Sequence, residues 1–129
     1  MLDMLPALEA FLSANGIDRV FGEEVPSKEA KNMPRACTLV KTAGGVAQDF
    51  VTIGRTRIDV RTFGETPYQA RTEYLKVYDL LKSAKAQAMD DVWFLSAVME
   101  SGPLSMRDPD TQWPYVMSIW NVMSREISL

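Results

Sequence analysis

The sequence predicts an α+β fold. Residues 1–129 are expected to form a single domain, in which a mixed, mostly antiparallel sheet of about four to five strands carries an extended hairpin and is packed by two main helices. Two segments place apolar residues at helical spacing, and the other apolar segments are short, rich in β-branched and aromatic residues and bounded by turn residues. A chain of 129 residues that is 47% hydrophobic and 24% charged is long enough to bury one core without disulfides or metals.

The N-terminal helix is predicted from about Leu2 to Ala14, and Asn15-Gly16 supplies a left-handed stop. Its apolar residues recur at helical spacing on one face: Leu5, Leu8 and Leu12. A short strand is expected from Ile17 to Phe21. The polar segment 22–34 then predicts a long loop, and loops of this length are often where partners bind.

The middle of the chain predicts an antiparallel hairpin with an extended tip. A strand over Arg35–Lys41 is followed by the turn-rich residues 42–49 and by a long strand over Phe50–Phe63. The apolar residues of the long strand change parity, from Val51 and Ile53 to Ile58 and Val60, and strand side chains alternate with period two. Either a bulge or bend near Gly54 resolves this conflict, or the strand projects past the core and buries its two halves against different neighbours.

The second helix has the clearest local signal. Thr66 is the expected N-cap, Pro67 takes the first helical position and Gln69 follows three residues after the cap. One apolar stripe then runs to an end near Ser83, through Ala70, Tyr74, Val77, Tyr78 and Leu81.

The last two strands are predicted over Val92–Met99 and about Tyr115–Met123, with a polar, turn-rich loop over residues 100–114 between them. Both parities of the first of these strands are apolar: Val92, Phe94 and Val98 on one, Trp93, Leu95, Ala97 and Met99 on the other. Antiparallel strands usually keep one polar face in contact with solvent. Because both faces of this strand are apolar, each is expected to be covered by other residues. Two helices most simply cover one face, and a neighbouring subunit is the simplest cover for the other. A helix on each face would remove the need for a partner.

Residue types exclude several kinds of site. The chain has no histidine, on which nucleophile systems, most zinc sites and acid–base catalysis near neutral pH usually depend. Its one cysteine, Cys37, lies in an apolar run typical of a buried thiol. A formal net charge of -3 argues against holding nucleic acid by neutralising phosphates. We therefore expect no enzyme, and no catalytic, metal or cofactor residues.

Two local patterns that resemble known sites do not match them. Gly44-Gly45 lacks the residues of a phosphate-binding loop and predicts a flexible hairpin tip. Asp108 and Asp110, with Asp90-Asp91 and Glu100, do not have the spacing of a calcium loop and are interpreted as solvated turn carboxylates. The N-terminus does not resemble a signal peptide and no run approaches ~20 apolar residues, so a soluble protein made inside the cell and without a membrane partner is expected.

The candidate residues for a subunit or partner interface are arginines and tryptophans: Arg55, Arg57, Arg61, Trp93, Trp113 and Trp120. The three arginines lie at odd positions of the long strand. They form either a solvated strand face or a charged face that pairs with acidic neighbours or lines a channel. The tryptophans are more often core residues, and Trp113, beside Pro114 at a loop–strand junction, is the one most readily placed at a contact.

The order of elements resembles the tail-terminator (tail-completion) proteins of long-tailed bacteriophages and phage-like particles. The resemblance rests on a leading helix, the PRACTLVKTAGG strand and turn, the arginine-bearing strand VTIGRTRIDVRTFG, the capped ETPYQA helix that runs through LKVYDLL, and the late WPYVMSIWNV strand. It covers nearly the whole chain and involves no catalytic signature.

This resemblance implies a virion protein of the tail or neck, made in the host cytoplasm, that assembles as a ring, typically a hexamer. The ring would cap the tail tube, stop its polymerisation and join it to the head connector. The implied partners are the major tail tube protein and the connector or stopper protein, with DNA only in transit. Three other hypotheses remain open: another neck or tail-tube component, a small intracellular module that binds a peptide or metabolite, and an enzyme that uses carboxylates and tyrosine.

Overall fold

The computed structural model of the protein describes residues 4–17, 19–22, 37–42, 53–84, 87–89, 92–109 and 111–126. Its helices are α1 (Leu5–Ala14) and α2 (Pro67–Lys82). Its strands are β1 (Val20–Gly22), β2 (Cys37–Thr42), β3 (Ile53–Phe63), β4 (Gln87–Met89), β5 (Val92–Arg107) and β6 (Pro114–Glu126). Residues 23–36 and 43–50, with the predicted Gly44-Gly45 turn, lie outside the described residues, as do three of the turn carboxylates: Asp90, Asp91 and Asp110.

Within the described part of the chain, one mixed sheet has six strands in the order β1-β2-β3-β6-β5-β4. β1 is parallel to β2, and every other neighbouring pair is antiparallel. The predicted α+β class is therefore confirmed, and so is the β2–β3 antiparallel pairing. The predicted strand count is too low by one, because β4 lies between the end of the predicted second helix and Val92, where no strand is predicted.

Both described helices pack on the same face of this sheet. The α1 residues predicted to share one face, Leu5, Leu8 and Leu12, are all buried there. Tyr78 of α2 packs on the ring of Trp120 at 5.7 Å between centroids. The main core therefore lies between the helices and one sheet face, and it also contains Val40, Ile58, Val60, Phe94 and Val122 from the strands.

The N-terminus of α2 forms as its sequence predicts. The hydroxyl oxygen of Thr66 accepts a hydrogen bond from the backbone N–H of Gln69 at 3.1 Å. The Gln69 side chain accepts one in return from the backbone N–H of Glu65 at 2.6 Å. These two bonds satisfy helix-end donors that would otherwise lack partners, and Pro67 needs no partner at the first position.

One strand prediction needs correction, and the described pairing bears on the two alternatives for the long strand. The first strand begins at Val20 and not at Ile17, which is instead a buried core residue between α1 and β1. The pairing of β3 with β6 runs without a shift from Ile53 to Phe63, so this pairing contains no bulge near Gly54. β2 pairs only with Ile58–Phe63, and the first half of β3 extends past β2 with β6 as its described neighbour.

The predicted loop over residues 100–114 is wrong over most of its length. β5 continues to Arg107 and β6 begins at Pro114, so the turn between them covers only residues 108–113. Gly102 adopts a φ of 102°, a conformation that favours glycine, and the register of β5 on β6 shifts between Ser101 and Leu104. These irregularities let a segment that contains Gly and Pro remain in the sheet.

A second register shift changes which residues of β5 face the helices. It lies between Phe94 and Ser96. Beyond it, Ala97 points with Phe94 toward the helices, and Val98 points to the opposite face. The sequence prediction that Val98 shares a face with Phe94 is therefore wrong, because one extra residue reverses every later side chain in a strand.

Gly64 allows close contact between the end of β3 and the start of α2. A Cβ atom at this position would lie 2.5 Å from the backbone nitrogen of Ala70 and 2.9 Å from the carbonyl carbon of Gln69. Because these are backbone atoms, the helix itself would have to move.

We expect Gly64→Ala to lower the free energy of unfolding by about 1–3 kcal/mol, the usual cost of overpacking. Urea titration followed by circular dichroism measures this change. Thr72→Ala, at an exposed position of α2, is the control and is expected to stay within about 0.5 kcal/mol. Equal stability of the Gly64 variant and the wild type would contradict the close contact.

Candidate functional site

The candidate site is the face of the sheet opposite the two described helices, which we call the open face. Directly opposed residues of antiparallel strands point to the same side, so the register assigns each residue to a face. Phe63 opposes Cys37 and Tyr115, and these three pack in a cluster that includes no described residue of α1 or α2. The described open-face residues are the odd-numbered residues of β2, of β3 from Arg55 onward and of β6, with Trp93, Ser96, Val98, Ser101, Leu104 and Met106 of β5.

One end of the open face is covered by the chain's own aromatic residues. Phe63 contacts Trp113 edge-on at 6.0 Å and Tyr115 at 5.1 Å between ring centroids. Cys37 is buried in the same cluster, which confirms the prediction of a buried thiol. This end of the face is a second, smaller core.

Arg61 is held on the open face beside that cluster. Its guanidinium donates two hydrogen bonds to the carboxylate of Asp59, both at 3.2 Å, and lies over the ring of Tyr115 at 5.2 Å from the centroid. Burial lowers the pKa of the Arg61 guanidinium, but the hydrogen bonds and negative charge of Asp59 outweigh this and raise the pKa above its usual value. Arg61 is therefore a permanent cation whose charge is balanced within the chain.

The other two candidate arginines differ from each other in their partners. Arg57 donates a hydrogen bond to the carboxylate of Glu100 at 2.8 Å, and both side chains are partly exposed. Arg55 is exposed and has no ion pair or hydrogen bond with any residue that the structure describes. Of the three, only Arg55 leaves its charge available to a partner.

Apolar side chains are exposed along the β5 side of the open face. Val98 is 60% exposed, Leu104 51% and Met106 41%. Met117, Ile119 and Met123 of the neighbouring strand β6 are partly buried beside them. This apolar surface contrasts with the helix-covered face, where the large apolar side chains of β6 are buried.

The far edge of β5 borders this apolar surface. β4 pairs only with the first three residues of β5, Val92–Phe94. From residue 95 onward, no described strand lies on that edge, so its backbone donors and acceptors face outward.

The three candidate tryptophans occupy different environments. Trp93 is partly buried on the open face, opposite Arg125. Trp113 is buried in the aromatic cluster. Trp120 is fully buried under α2 and has no surface to offer a partner.

Sequence reasoning did not identify Val98, Leu104 and Met106 as exposed apolar residues. The pattern of alternation predicts the wrong face for Val98, and Leu104 and Met106 lie in the segment predicted to be a loop. The sequence contains one signal for Leu104 and Met106. They are alternating apolar residues that follow Gly102-Pro103, and this alternation is consistent with a strand.

Asp108 and Tyr74, which lie outside the open face, each make a hydrogen bond within the chain. The carboxylate of Asp108 accepts a hydrogen bond from the backbone N–H of Thr111 at 3.0 Å, which stabilises the β5–β6 turn. Burial, and then the neighbouring Tyr78, raise the pKa of Tyr74, whose hydroxyl donates to the sulfur of Met99 at 3.5 Å.

Among the described residues, no group of three Cys, Asp or Glu side chains is arranged to hold a metal ion. Neither described helix has the length and apolar character needed to cross a membrane.

Comparison with known proteins identifies a related fold. No protein-family model matches the chain, and no curated protein matches it. Among solved structures, it is similar to a chain from the virion of a native gene transfer agent particle, with a TM-score of 0.67 and 9% sequence identity. The match covers 95% of this chain and 94% of that chain. At this level of identity, the similarity shows a common fold.

Proposed function

We propose that the protein is a non-enzymatic structural subunit of a phage-like virion. In this proposal it forms a ring, a hexamer by the resemblance of its sequence, that caps the tail tube, ends tail polymerisation and joins the tube to the head connector. Its site of action is the virion tail or neck, and DNA passes through the ring without being held.

The observation that carries the proposal is the open face of the sheet. Val98, Leu104 and Met106 expose apolar surface on the side of the sheet away from the helices. Contiguous exposed apolar surface on a soluble protein usually marks an interaction site. A protein that works by packing against its neighbours needs such a surface, and the match over nearly the whole chain to a virion protein supports the same role.

Ring formation also places a requirement on the surface. In a ring, one patch of each subunit meets a different patch of the next subunit, and the rotation closes after a fixed number of copies. A stable contact of this kind buries roughly 800 Å² on each partner. The sheet face beyond the aromatic cluster supplies one such patch.

The proposal predicts a defect in tails made without the protein. Without a cap, tails are expected to vary in length and fail to join heads, because nothing stops polymerisation or forms the joint. Negative-stain electron microscopy of particles from a producing strain that lacks the gene measures both properties. The same strain carrying an intact copy is the control. Tails of uniform normal length that still join heads would contradict the proposal.

A tail-tube or other neck component of the same particle is the second candidate. The name of the similar structure refers to a whole virion, and an exposed sheet face serves stacking as well as capping. The two candidates differ in how the purified protein assembles. A tube protein polymerises into long stacks, whereas a terminator stops at one ring, and electron microscopy at increasing protein concentration distinguishes these results.

A further inference from the structure

A groove of about 250 Å³ crosses the open face between β3, β6 and β5. Its lining residues come from all three strands: Arg55, Ser96, Val98, Glu100, Asn121 and Met123. Val98 and Met123 give it apolar walls, and the arginine and the glutamate give it charges of both signs. We call this feature the Arg55 groove.

One charged group in the Arg55 groove has no partner among the described residues. The guanidinium of Arg55 is exposed and unpaired there, whereas those of Arg57 and Arg61 are each paired with a carboxylate. The side-chain oxygen of Asn121 also has no donor among the described residues, but it is a buried atom and offers no surface to a partner. An occupant that complements the groove therefore carries a negative charge that can pair with Arg55.

The charge of the whole open face favours the same kind of occupant. Its described residues include five cations and one anion, and Glu100 of β5, which is paired with Arg57, adds a second anion: Lys41, Arg55, Arg57, Arg61 and Arg125 against Asp59 and Glu100. The face therefore has a surplus of three positive charges in a chain whose formal net charge is -3. By sequence, the rest of the chain carries a surplus of six negative charges, so a second copy brings an excess of acidic side chains that are complementary in charge to this face.

We infer that the Arg55 groove binds an acidic surface element of a second copy of this chain. A carboxylate of the second copy pairs with Arg55, and apolar atoms cover Val98 and Met123. Because the groove meets a different surface of the next copy, the contact is of the kind that closes rings. This inference rests on the proposed function and specifies the surface through which its subunits associate.

The groove is better suited to protein than to a polyanion such as DNA. Glu100 lines it and would repel phosphates, and the guanidinium of Arg57 is already bound to that carboxylate. Surfaces that hold phosphate backbones are instead rich in unpaired Lys and Arg. Mixed charges around exposed apolar side chains are typical of protein–protein contacts.

Charge reversal at Arg55 tests the inference. Sedimentation velocity over a range of protein concentrations gives the association constant of the full chain at low and at raised NaCl. We expect the wild type to self-associate, more weakly at raised salt, and Arg55→Glu to weaken association by about tenfold or more. Arg71→Glu makes the same charge change at an exposed position of α2 and is expected to stay within about twofold of wild type. Circular dichroism melting of each variant verifies the fold.

Three results would overturn the inference. A wild type that stays monomeric at all concentrations, or equal association constants for the Arg55 and Arg71 variants, would exclude the groove as the contact. The third result is tight DNA binding by the wild type that Arg55→Glu abolishes. Fluorescence anisotropy with a labelled DNA duplex measures this binding. The tail-length experiment is independent: abnormal tails without the protein, together with unchanged association of Arg55→Glu, would reject the groove and leave the proposed function standing.

Discussion

Replacing Trp120 with alanine is expected to lower the free energy of unfolding by about 3–5 kcal/mol, the range for large aromatic truncations in cores. Trp120 is fully buried between β6 and α2, where its ring packs on Tyr78. Its indole N–H donates a hydrogen bond to the hydroxyl of Ser118 at 2.9 Å, and the truncation would leave that buried hydroxyl without this partner. A loss of this size is a large fraction of the stability of a small protein.

Equilibrium unfolding in guanidinium chloride measures the change, provided that the slope of the transition is unchanged. Trp93→Ala is the matched control, because it removes the same ring from the partly buried open face. We expect that control to cost about 1–2 kcal/mol, since less of its apolar area leaves water on folding. Equal losses for the two variants would contradict the assignment of Trp120 to the core and of Trp93 to the surface.

The second large effect is expected on assembly. Replacing Val98, Leu104 and Met106 together with serine removes the exposed apolar surface of β5. Each side chain is about half exposed, so its burial against a partner contributes on the order of 1 kcal/mol. The triple variant is therefore expected to weaken self-association roughly a hundredfold, because 1.4 kcal/mol corresponds to about tenfold in affinity.

The triple variant is also expected to lose about 2–3 kcal/mol of folding free energy, because roughly half of each side chain is buried within the chain. Association is therefore compared under conditions in which circular dichroism shows every variant to be folded. Tyr68 and Leu75 are also exposed apolar residues, at 81% and 50%, but lie on the solvent side of α2. Replacing this pair with serine serves as the control for a general loss of surface hydrophobicity. If both sets of substitutions reduce association equally in light scattering, the open face has no special role.

Local signals in the sequence were sufficient for both helices. The cap at Thr66 and the stripe from Ala70 to Leu81 specify α2 through contacts within a few residues. The positions of the three candidate arginines also followed from parity, because β3 pairs with β6 without interruption. The partners of those arginines could not be predicted, since Glu100 reaches Arg57 only through the register of β5 on β6.

The wrong predictions fall in β5, where pairing with β6 overrides the structural preference of the local residues. Gly102 and Pro103 indicate a loop by residue type, yet they lie inside β5 because β6 supplies a template along its length. The shift after Phe94 is set by pairing across strands and has no signature in the local pattern. As a consequence, the apolar excess of the late sheet was predicted, but the residues that expose it were not.

The central claim is that a second copy of the chain covers the open face in the assembled state. Cryo-electron microscopy of the assembled oligomer, at a resolution that shows side chains, tests this claim most directly. The account predicts that in every subunit the neighbouring copy contacts Val98 and places a carboxylate beside Arg55. An assembly in which these two residues face solvent while other surfaces form the contact would contradict it.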